Sequence, residues 1–335
     1  MNARAPAAPV LSVKDLVTVF DLPRGDGASG TFPAPAVDGA SLDLAPGETV
    51  ALVGESGSGK TMVALSVLGL VPPPGRVASG SILFSGRELA GLSAQEYQGL
   101  RGRHLAMIFQ EPMTALNPVF TVGEQIAEPL RLHLGLSPRD AAARAVELLA
   151  EVGIPNPARR AKSYPHELSG GMRQRVVIAM ALSCGPEVVL ADEPTTALDV
   201  TIQAEILDLM AKLREERGMA VLLITHDLGV VAGTAGRVAV MYAGRVVERA
   251  GVDDLFREPL HPYTQGLLAS LPSLEDPGAR LTPIAGSVPD ISALPTGCTF
   301  HPRCPRAFAR CPAEIPPDFT PRGGSGRSVR CWLYA

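Results

Sequence analysis

The chain has 335 residues, of which 46% are hydrophobic, and a formal net charge of −4 at neutral pH. This length is typical of one large domain with an appendage, or of two domains. The negative charge argues against a general nucleic-acid surface. The apolar runs fall short of the roughly 18 residues that a membrane-spanning helix requires, and the amino terminus lacks the apolar core of a secretory signal, so we expect a cytosolic chain.

The first part of the chain combines short apolar runs with a glycine loop. Residues 10–20 and 37–53 are predicted to form strands, separated by a Gly- and Pro-rich loop at 23–36. Within the second run, TVALVG at 49–54 is predicted as a buried strand that leads through a glycine loop into a helix at 60–70. The stretch PPPGRVASG that follows is predicted to interrupt regular structure.

The middle of the chain is predicted to contain one strand and several helices. LAMIFQ at 105–110 is a buried-strand candidate, and residues from about 120 to 185 are predicted to be mainly helical. The clearest helix start is Ser137 followed by Pro138, because serine is a favoured N-cap and proline suits the first helical position.

Alternation of strands and helices continues up to about residue 258. EVVLAD and AVLLIT, at 187–192 and 220–225, are predicted strands, and the helix between them is predicted to end at Gly218. RVAVMYAGRVVERA is predicted to form a hairpin with Gly244 in its turn. The pattern indicates an α/β fold with a mainly parallel sheet. Beyond residue 258, proline becomes dense and periodicity fades, which predicts an extension.

GESGSGKT at 54–61 fits the P-loop pattern and lies between a predicted strand and a predicted helix. Glycines allow backbone N–H groups to turn towards an anion, Lys60 places a positive charge at the β- and γ-phosphates, and Thr61 offers a hydroxyl to Mg²⁺. The alternative is a glycine-rich turn without a ligand. The predicted phosphate-binding residues are Gly54, Ser56, Gly57, Ser58, Gly59, Lys60 and Thr61.

Two further motifs predict nucleotide chemistry. VVLADE at 188–193 ends in two carboxylates: Asp192 could hold Mg²⁺ through water, and Glu193 could orient or deprotonate the attacking water. The alternative is a pair of solvent-facing acids. In ELSGGMRQR, Ser169 and two glycines precede an apolar helix, whose N-terminus could bind phosphate in a dimer where each subunit covers the other's ATP. The alternative is an ordinary capped helix.

In this order, the motifs resemble those of the ATP-binding subunits of ABC (ATP-binding cassette) transporters. The matching segments, over roughly 10–255, are GESGSGKT, IFQEP, LSGGMRQ, VVLADEP, ALD (197–199) and LLITHD. The resemblance implies the ABC ATPase fold of the P-loop NTPases: a mainly parallel sheet core, an antiparallel β subdomain and a helical subdomain at about 112–184. It implies an ATP-binding domain at 1–257 and a Cys-rich extension at 258–335.

The resemblance also implies roles for individual residues. Glu193 would be the general base, His226 would steady the γ-phosphate and the water, and Gln110 would contact Mg²⁺ and the water and relay the nucleotide state. Phe20 is the first candidate for stacking on adenine, and Phe32 the second. The residues implied to serve the dimer are Ser169, Gly170 and Gly171, which contact ATP on the opposite subunit, and Asp199, which lies at the interface.

Three segments narrow the resemblance to the dipeptide/oligopeptide importers: 110–126, HPYTQGLL at 261–268 and the Cys-rich end. This branch implies an ATPase that works with a paralogous ATPase subunit on two membrane permeases, at the cytoplasmic face of the inner membrane, with an extracytoplasmic peptide-binding protein and no nucleic acid. Importers of nickel or glutathione are an alternative. Soluble ABC ATPases are another, although their usual second ATPase unit or long coiled coil is missing here.

Four cysteines, Cys298, Cys304, Cys311 and Cys331, lie near the end of the chain. Their C-x5-C-x6-C-x19-C spacing is neither a tight zinc-finger spacing nor a ferredoxin run. It leaves open an iron–sulfur cluster, a zinc ion or unligated thiols. The resemblance favours a [4Fe–4S] cluster, with zinc as the alternative, and a metal would staple a segment that has little apolar periodicity.

Overall fold

A computed structural model describes residues 8–24, 30–196, 198–271, 283–321 and 326–335. Ala197, part of the predicted ALD motif, lies outside the described residues. The strands are β1 Leu11–Pro23, β2 Thr31–Leu44, β3 Thr49–Val53, β4 Gly75–Phe84, β5 Arg87–Glu88, β6 Leu105–Ile108, β7 Val188–Asp192, β8 Ala220–Thr225, β9 Arg237–Tyr242, β10 Arg245–Gly251 and β11 Ser328–Val329. The helices are α1 Lys60–Val67, α2 Ala94–Leu100, α3 Pro112–Ala115, α4 Val122–Leu134, α5 Pro138–Glu151, α6 Pro157–Arg160, α7 Gly170–Ala181, α8 Val200–Arg217, α9 Leu228–Thr234, α10 Val252–Arg257 and α11 Pro262–Ala269.

The chain divides into two compact units. The first contains Ala45–Glu48 and Gly91–Leu223, and the second contains Leu11–Leu44, Thr49–Ala90 and Ile224–Ala335. In the part of the chain that is described, no helix is both long enough and apolar enough to cross a membrane.

In the first unit, β6 and β7 are parallel, with Leu105 opposite Val188. Every residue of β7 and β8 is buried, as expected for strands that are covered on both faces. The predicted strands at 105–110, 187–192 and 220–225 are therefore confirmed.

The predicted helical stretch of the first unit forms α4 to α7. Helix α5 begins as predicted: the Ser137 hydroxyl accepts a hydrogen bond from the Asp140 backbone N–H, and Pro138 occupies the first turn. Helix α8 ends at Arg217 and is capped by Gly218, which has the left-handed φ of 65° that a C-cap glycine adopts without steric cost. The predicted end of this helix is confirmed.

In the second unit, an antiparallel sheet has the order β2-β1-β4-β5. Two predictions were wrong here. Residues 31–36, predicted as loop, belong to β2, where Pro33 and Pro35 are tolerated because β2 is an edge strand. Residues 75–80, predicted as an interruption, belong to β4, which pairs with β1 along most of its length.

The second unit also contains strands that carry the glycine loop. The predicted run 37–53 is two strands, because β2 ends at Leu44 and β3 begins at Thr49. Strand β3 is parallel to β9, β9 pairs antiparallel with β10, and β11 adds to β10. The predicted hairpin is confirmed, with Ala243 and Gly244 at positive φ in its turn. Behind β3 and β9 lies a core that includes Tyr242, Tyr263 and Phe300.

Candidate nucleotide-binding site

The glycine loop begins where β3 ends and leads directly into α1. Two of its glycines have no room for a side chain. A Cβ at Gly54 would lie 2.2 Å from the carbonyl oxygen of Met241, and a Cβ at Gly59 would lie 2.3 Å from that of Ala36. Gly59 also has a φ of 100°, which favours glycine. The loop is thus packed against β9 and β2, with its shape fixed by neighbouring backbone.

Lys60 is the first residue of α1 and is only 5% exposed. Its Nζ donates to the carbonyl oxygens of Gly54, at 2.7 Å, and of Glu55, at 2.9 Å. The ammonium group is therefore held at the loop, as the P-loop interpretation requires. Thr61 follows in the first turn of the same helix, while Ser56 and Gly57 are exposed and Ser58 is buried.

In the first unit, the predicted catalytic residues Gln110 and Glu193 meet. The Gln110 amide Nε2 lies 3.1 Å from Oε2 of Glu193, and the Thr196 hydroxyl donates to the same oxygen at 2.8 Å. Glu193 has a φ of 46°, a left-handed conformation that a glutamate seldom adopts and that often marks functional positions. Asp192, the last residue of β7, is only 3% exposed.

Sequence reasoning missed Thr196. Its hydroxyl reaches back to the carboxylate three residues earlier, and only the three-residue spacing could have indicated this contact. That spacing is common in ordinary turns, so it carries little information without the structure.

The predicted second phosphate site lies at the start of α7 in the first unit. The Ser169 hydroxyl accepts a hydrogen bond from the Met172 backbone N–H at 3.3 Å, so Ser169 is the N-cap. A Cβ at Gly171 would lie 2.8 Å from Cγ2 of Ile202, in the first turn of α8. Asp199 caps α8 through the Ile202 N–H. The two helix starts are thus packed together, and Ser169 and Asp199 are both exposed.

Three predicted residues of the second unit lie in three different elements or turns. His226 is exposed in the turn between β8 and α9, next to Asp227, which caps α9. Phe20 is half-buried in β1, and its ring lies so close to Gly75 that a Cβ there would be 2.8 Å from Cε1. Phe32 is half-buried in β2, opposite Leu22. Adenine stacking by either ring stays a prediction.

Comparison with known proteins bears directly on these motifs. Residues 37–196 match a family model described as ABC transporter, and residues 247–311 match one described as the C-terminal region of oligopeptide/dipeptide transporters. The oligopeptide transport ATP-binding protein AppD of Bacillus subtilis is 54% identical over 303 residues, which cover 90% of this chain and 92% of AppD. The chain belongs to the ATP-binding proteins of the oligopeptide/dipeptide transporter family.

Other members and structures agree with this assignment. The dipeptide transport ATP-binding protein DppD of Bacillus subtilis is 50% identical to this family member, covering 97% of this chain and 94% of DppD. Among solved structures, the ATP-binding cassette MJ0796, solved as a dimer in a post-hydrolysis state bound to ADP and Pi, superposes with a TM-score of 0.63 at 28% identity. That match covers 72% of this chain and 98% of MJ0796. The predicted ABC ATPase fold is confirmed.

We call residues 258–335 the tail. Its four cysteines line one cavity of about 10 Å³, and all are free thiols. Such a cavity has room for about one water molecule, too little for a four-iron cluster. Burial raises the pKa of Cys298 and Cys304, and that of Cys331 to about 11. Among the described residues, no three His, Cys, Asp or Glu side chains form a group that could hold a metal. The predicted [4Fe–4S] cluster, and zinc as its alternative, therefore find no support in this geometry.

Proposed function

We propose that this chain is the ATP-hydrolysing subunit that powers uptake of di- and oligopeptides through a membrane ABC transporter. It acts as a dimer with a paralogous ATPase subunit, on two permeases, at the cytoplasmic face of the inner membrane, and an extracytoplasmic peptide-binding protein delivers the solute. The names of its relatives specify oligopeptide and dipeptide transport. They support peptide as the solute over nickel or glutathione, and support a transporter subunit over a soluble ABC ATPase.

The observation that carries the proposal is that hydrogen bonds fix the position of the Glu193 carboxylate. Gln110 and Thr196 both donate to its Oε2, and two donors fix the direction in which a general base presents its lone pairs. In hydrolysis, the water oxygen bonds to the γ-phosphorus, the bond from that phosphorus to the ADP oxygen breaks, and Glu193 accepts the proton that the water loses.

The remaining predicted residues have chemistry suited to the same reaction. The Lys60 ammonium, held at the glycine loop, offers positive charge to the phosphates, and His226 is proposed to steady the γ-phosphate. The oxygen donors of Thr61, Asp192 and Gln110 suit Mg²⁺, which prefers hydroxyl, carboxylate and amide oxygens. When bound, Mg²⁺ supplies positive charge against the charge that develops on the phosphate.

We propose that the starts of α7 and α8 serve the dimer. The residues assigned to ATP on the opposite subunit are Ser169, Gly170 and Gly171, with Asp199 at the interface. The exposure of Ser169 and Asp199 supports this proposal. The domain organisation proposed with it is an ATP-binding domain at 1–257, with a helical subdomain at about 112–184, and an extension at 258–335.

A metal centre at Cys298, Cys304, Cys311 and Cys331 is a separate proposal that rests on the resemblance of the Cys-rich segment to the peptide importers, and not on the small cavity that the four thiols line. Because that cavity is small, metal uptake requires the tail segments to move apart. Iron, sulfide and zinc analysis of anaerobically purified protein is the test. Metal-free, well-folded protein would refute the proposal and leave the ATPase assignment untouched.

Substitution of Glu193 tests the proposed reaction. Glu193→Gln keeps the size of the side chain and one acceptor oxygen for Gln110 and Thr196 but removes the basicity. We expect ATP binding to persist and hydrolysis to fall by at least about a hundredfold, the usual contribution of a general base. Phosphate release is measured with the purified chain, and uptake of labelled dipeptide with the chain assembled on its permeases.

Glu187→Gln is the matched control, because Glu187 immediately precedes β7, whereas Glu193 immediately follows it. Its carboxylate pairs with His104 and is half exposed. This variant should hydrolyse ATP like the native chain. Equal hydrolysis by the two variants would show that Glu193 is not the base. Absence of ATP binding by the native chain would refute the proposed function as a whole.

A further inference from the structure

The carboxy-terminal tail forms hydrogen bonds with one residue of the glycine loop. Glu55, the second residue of GESGSGKT, receives two hydrogen bonds from the guanidinium group of Arg303, at 2.7 Å from Nη1 and 3.0 Å from Nη2. Such bidentate pairs are the strongest and most directional ion pairs in proteins. The Arg303 side chain is 6% exposed and that of Glu55 is 30% exposed, so the pair is largely shielded from water.

Arg303 is itself held in place by the tail. Its Nε donates to the carbonyl oxygen of Ala285 at 2.8 Å, and Nη2 also lies 3.3 Å from the carbonyl oxygens of Ile284 and Gly286. Nη1 lies 3.4 Å from the hydroxyl of Tyr242. These contacts occupy the planar donor set of the guanidinium, so its position relative to the loop is fixed.

A second tail residue holds the backbone of Glu55. The Glu55 N–H donates to the hydroxyl of Tyr263 at 2.8 Å. Tyr263 belongs to α11 and is fully buried, with its ring 4.7 Å from that of Tyr242 and 5.3 Å from that of Phe300. Both the backbone and the side chain of Glu55 are thus attached to the tail.

Glu55 also contacts Lys60, the residue that is proposed to bind phosphate. Its carbonyl oxygen accepts a hydrogen bond from Nζ of Lys60 at 2.9 Å, so this residue joins the phosphate-binding lysine to the tail. A carboxylate in a loop that binds a polyanion repels its ligand, unless a cation neutralises that carboxylate and holds it aside.

We infer that Arg303 is a positioning residue that sets the affinity of the glycine loop for nucleotide, by neutralising Glu55 and holding its carboxylate towards the tail. The inference rests on the proposed function, because it assumes that the loop binds ATP. It gives the carboxy-terminal segment a direct role at the nucleotide site.

The test compares three full-length variants: Arg303→Gln, Glu55→Gln and the double variant. Affinity is measured with the fluorescent analogue mant-ATP at low and high salt. Arg303→Gln should bind about fivefold to tenfold more weakly at low salt, because one unpaired charge then repels the phosphates, and the loss should shrink at high salt. Glu55→Gln should bind more tightly than the native chain, and the double variant should return to near-native affinity.

A merely structural contact predicts a different outcome. It would make the two single substitutions equally harmful and the double variant no better, with no dependence on salt. Either native-like binding by Arg303→Gln or failure of Glu55→Gln to restore binding would overturn the inference. If Arg303→Gln does not fold, Glu55→Gln alone decides. That variant leaves the Arg303 charge unpaired beside the loop, so unchanged affinity would contradict an electrostatic effect of this pair on the nucleotide.

Arg310→Gln is the matched control, because Arg310 is an exposed arginine of the same tail that pairs with Glu314. It should bind mant-ATP like the native chain, and weakened binding would overturn the assignment to Arg303. Failure of the proposed function is distinguishable, because then the native chain itself does not bind the analogue.

Discussion

At the scale of single residues, His261 near the start of the tail is a deeply buried ionisable group. It is 1% exposed, its Nδ1 accepts a hydrogen bond from the Tyr263 N–H, and its ring lies 5.7 Å from that of Phe300. Burial lowers its pKa to about 3, so the folded chain holds a neutral imidazole. The neighbouring carboxyl of Glu248, which accepts a hydrogen bond from the backbone N–H of His261, has a pKa raised by burial.

His261 should make the stability of the chain depend on pH. As the pH falls below about 6.5, His261 becomes protonated in the unfolded chain. In the folded chain it stays neutral until about pH 3. Stability is therefore complete above pH 6.5 and falls in this window, by up to about 1.4 kcal/mol per pH unit. Urea unfolding at pH 7.5, 6.0 and 5.0 measures the loss.

His261→Asn is the comparison for this prediction, because asparagine can still cap α11 but does not titrate. The variant should lose less free energy of unfolding than the native chain as the pH falls. Glu248 acts in the opposite sense, since an acid with a raised pKa gains stability on protonation, but it is present in both proteins and its effect cancels. Parallel pH profiles would show that His261 does not titrate between the two states.

At the scale of elements, a glycine in α4 allows a close approach of two segments. Gly123 donates its N–H to the carbonyl oxygen of Ala161 at 2.9 Å. A Cβ at this position would lie 2.6 Å from that oxygen and 2.9 Å from Cβ of Ala161. The first turn of α4 is thus anchored by backbone contact with the residue that follows α6.

Gly123→Ala should lower the free energy of unfolding by about 1 to 3 kcal/mol, because overpacking outweighs the better helix propensity of alanine. Gly99→Ala is the control, since Gly99 lies in α2 with no atom within 4 Å of its added Cβ. That substitution should raise stability by up to about 1 kcal/mol. Chemical denaturation measures both, and a shift of the same sign in both variants would contradict the packing argument.

Elements with local signals were predictable, and elements made by long-range pairing were not. Ser137 and Gly218 mark helix ends through their own side chain or conformation, so the sequence indicates them directly. Residues 31–36 contain two prolines and residues 75–80 contain two glycines. Both residue types locally indicate turns, and only pairing with β1 makes these segments strands. Proline in an edge strand and glycine in a ladder are tertiary outcomes that local propensity opposes.

At the scale of the whole molecule, some features of the candidate site have local sequence signals, whereas others depend on contacts between distant parts of the chain. The motifs around Lys60, Gln110 and Glu193 could be recognised in the sequence, because each has a chemical requirement that favours its residue types, but the hydrogen bond between Gln110 and Glu193 is seen only in the structure. The pairing of Arg303 with Glu55 joins residues 248 positions apart, and nothing in either local sequence indicates the other. Contacts of this kind come from the fold alone.

The tail also belongs to the core of the second unit, and its removal should show this. Phe300 is 2% exposed and packs edge-on against Tyr242, with the ring centroids 5.1 Å apart, and β11 pairs with β10 through Val329. A chain that ends at residue 257 should lose much of its stability, because removal of one buried aromatic costs about 3 to 5 kcal/mol and a whole domain has only about 5 to 15 kcal/mol.

Point substitutions separate this packing from the mere loss of chain length. Phe300→Ala should lower the thermal midpoint substantially, whereas Phe308→Ala, which truncates an aromatic of the same tail that is 44% exposed, should leave it nearly unchanged. Thermal unfolding of the truncated chain and of both variants is the measurement. If the chain of residues 1–257 melts at the midpoint of the full chain, the tail is an independent appendage; a large loss, matched in direction by Phe300→Ala, means that the tail completes the core on which the glycine loop rests.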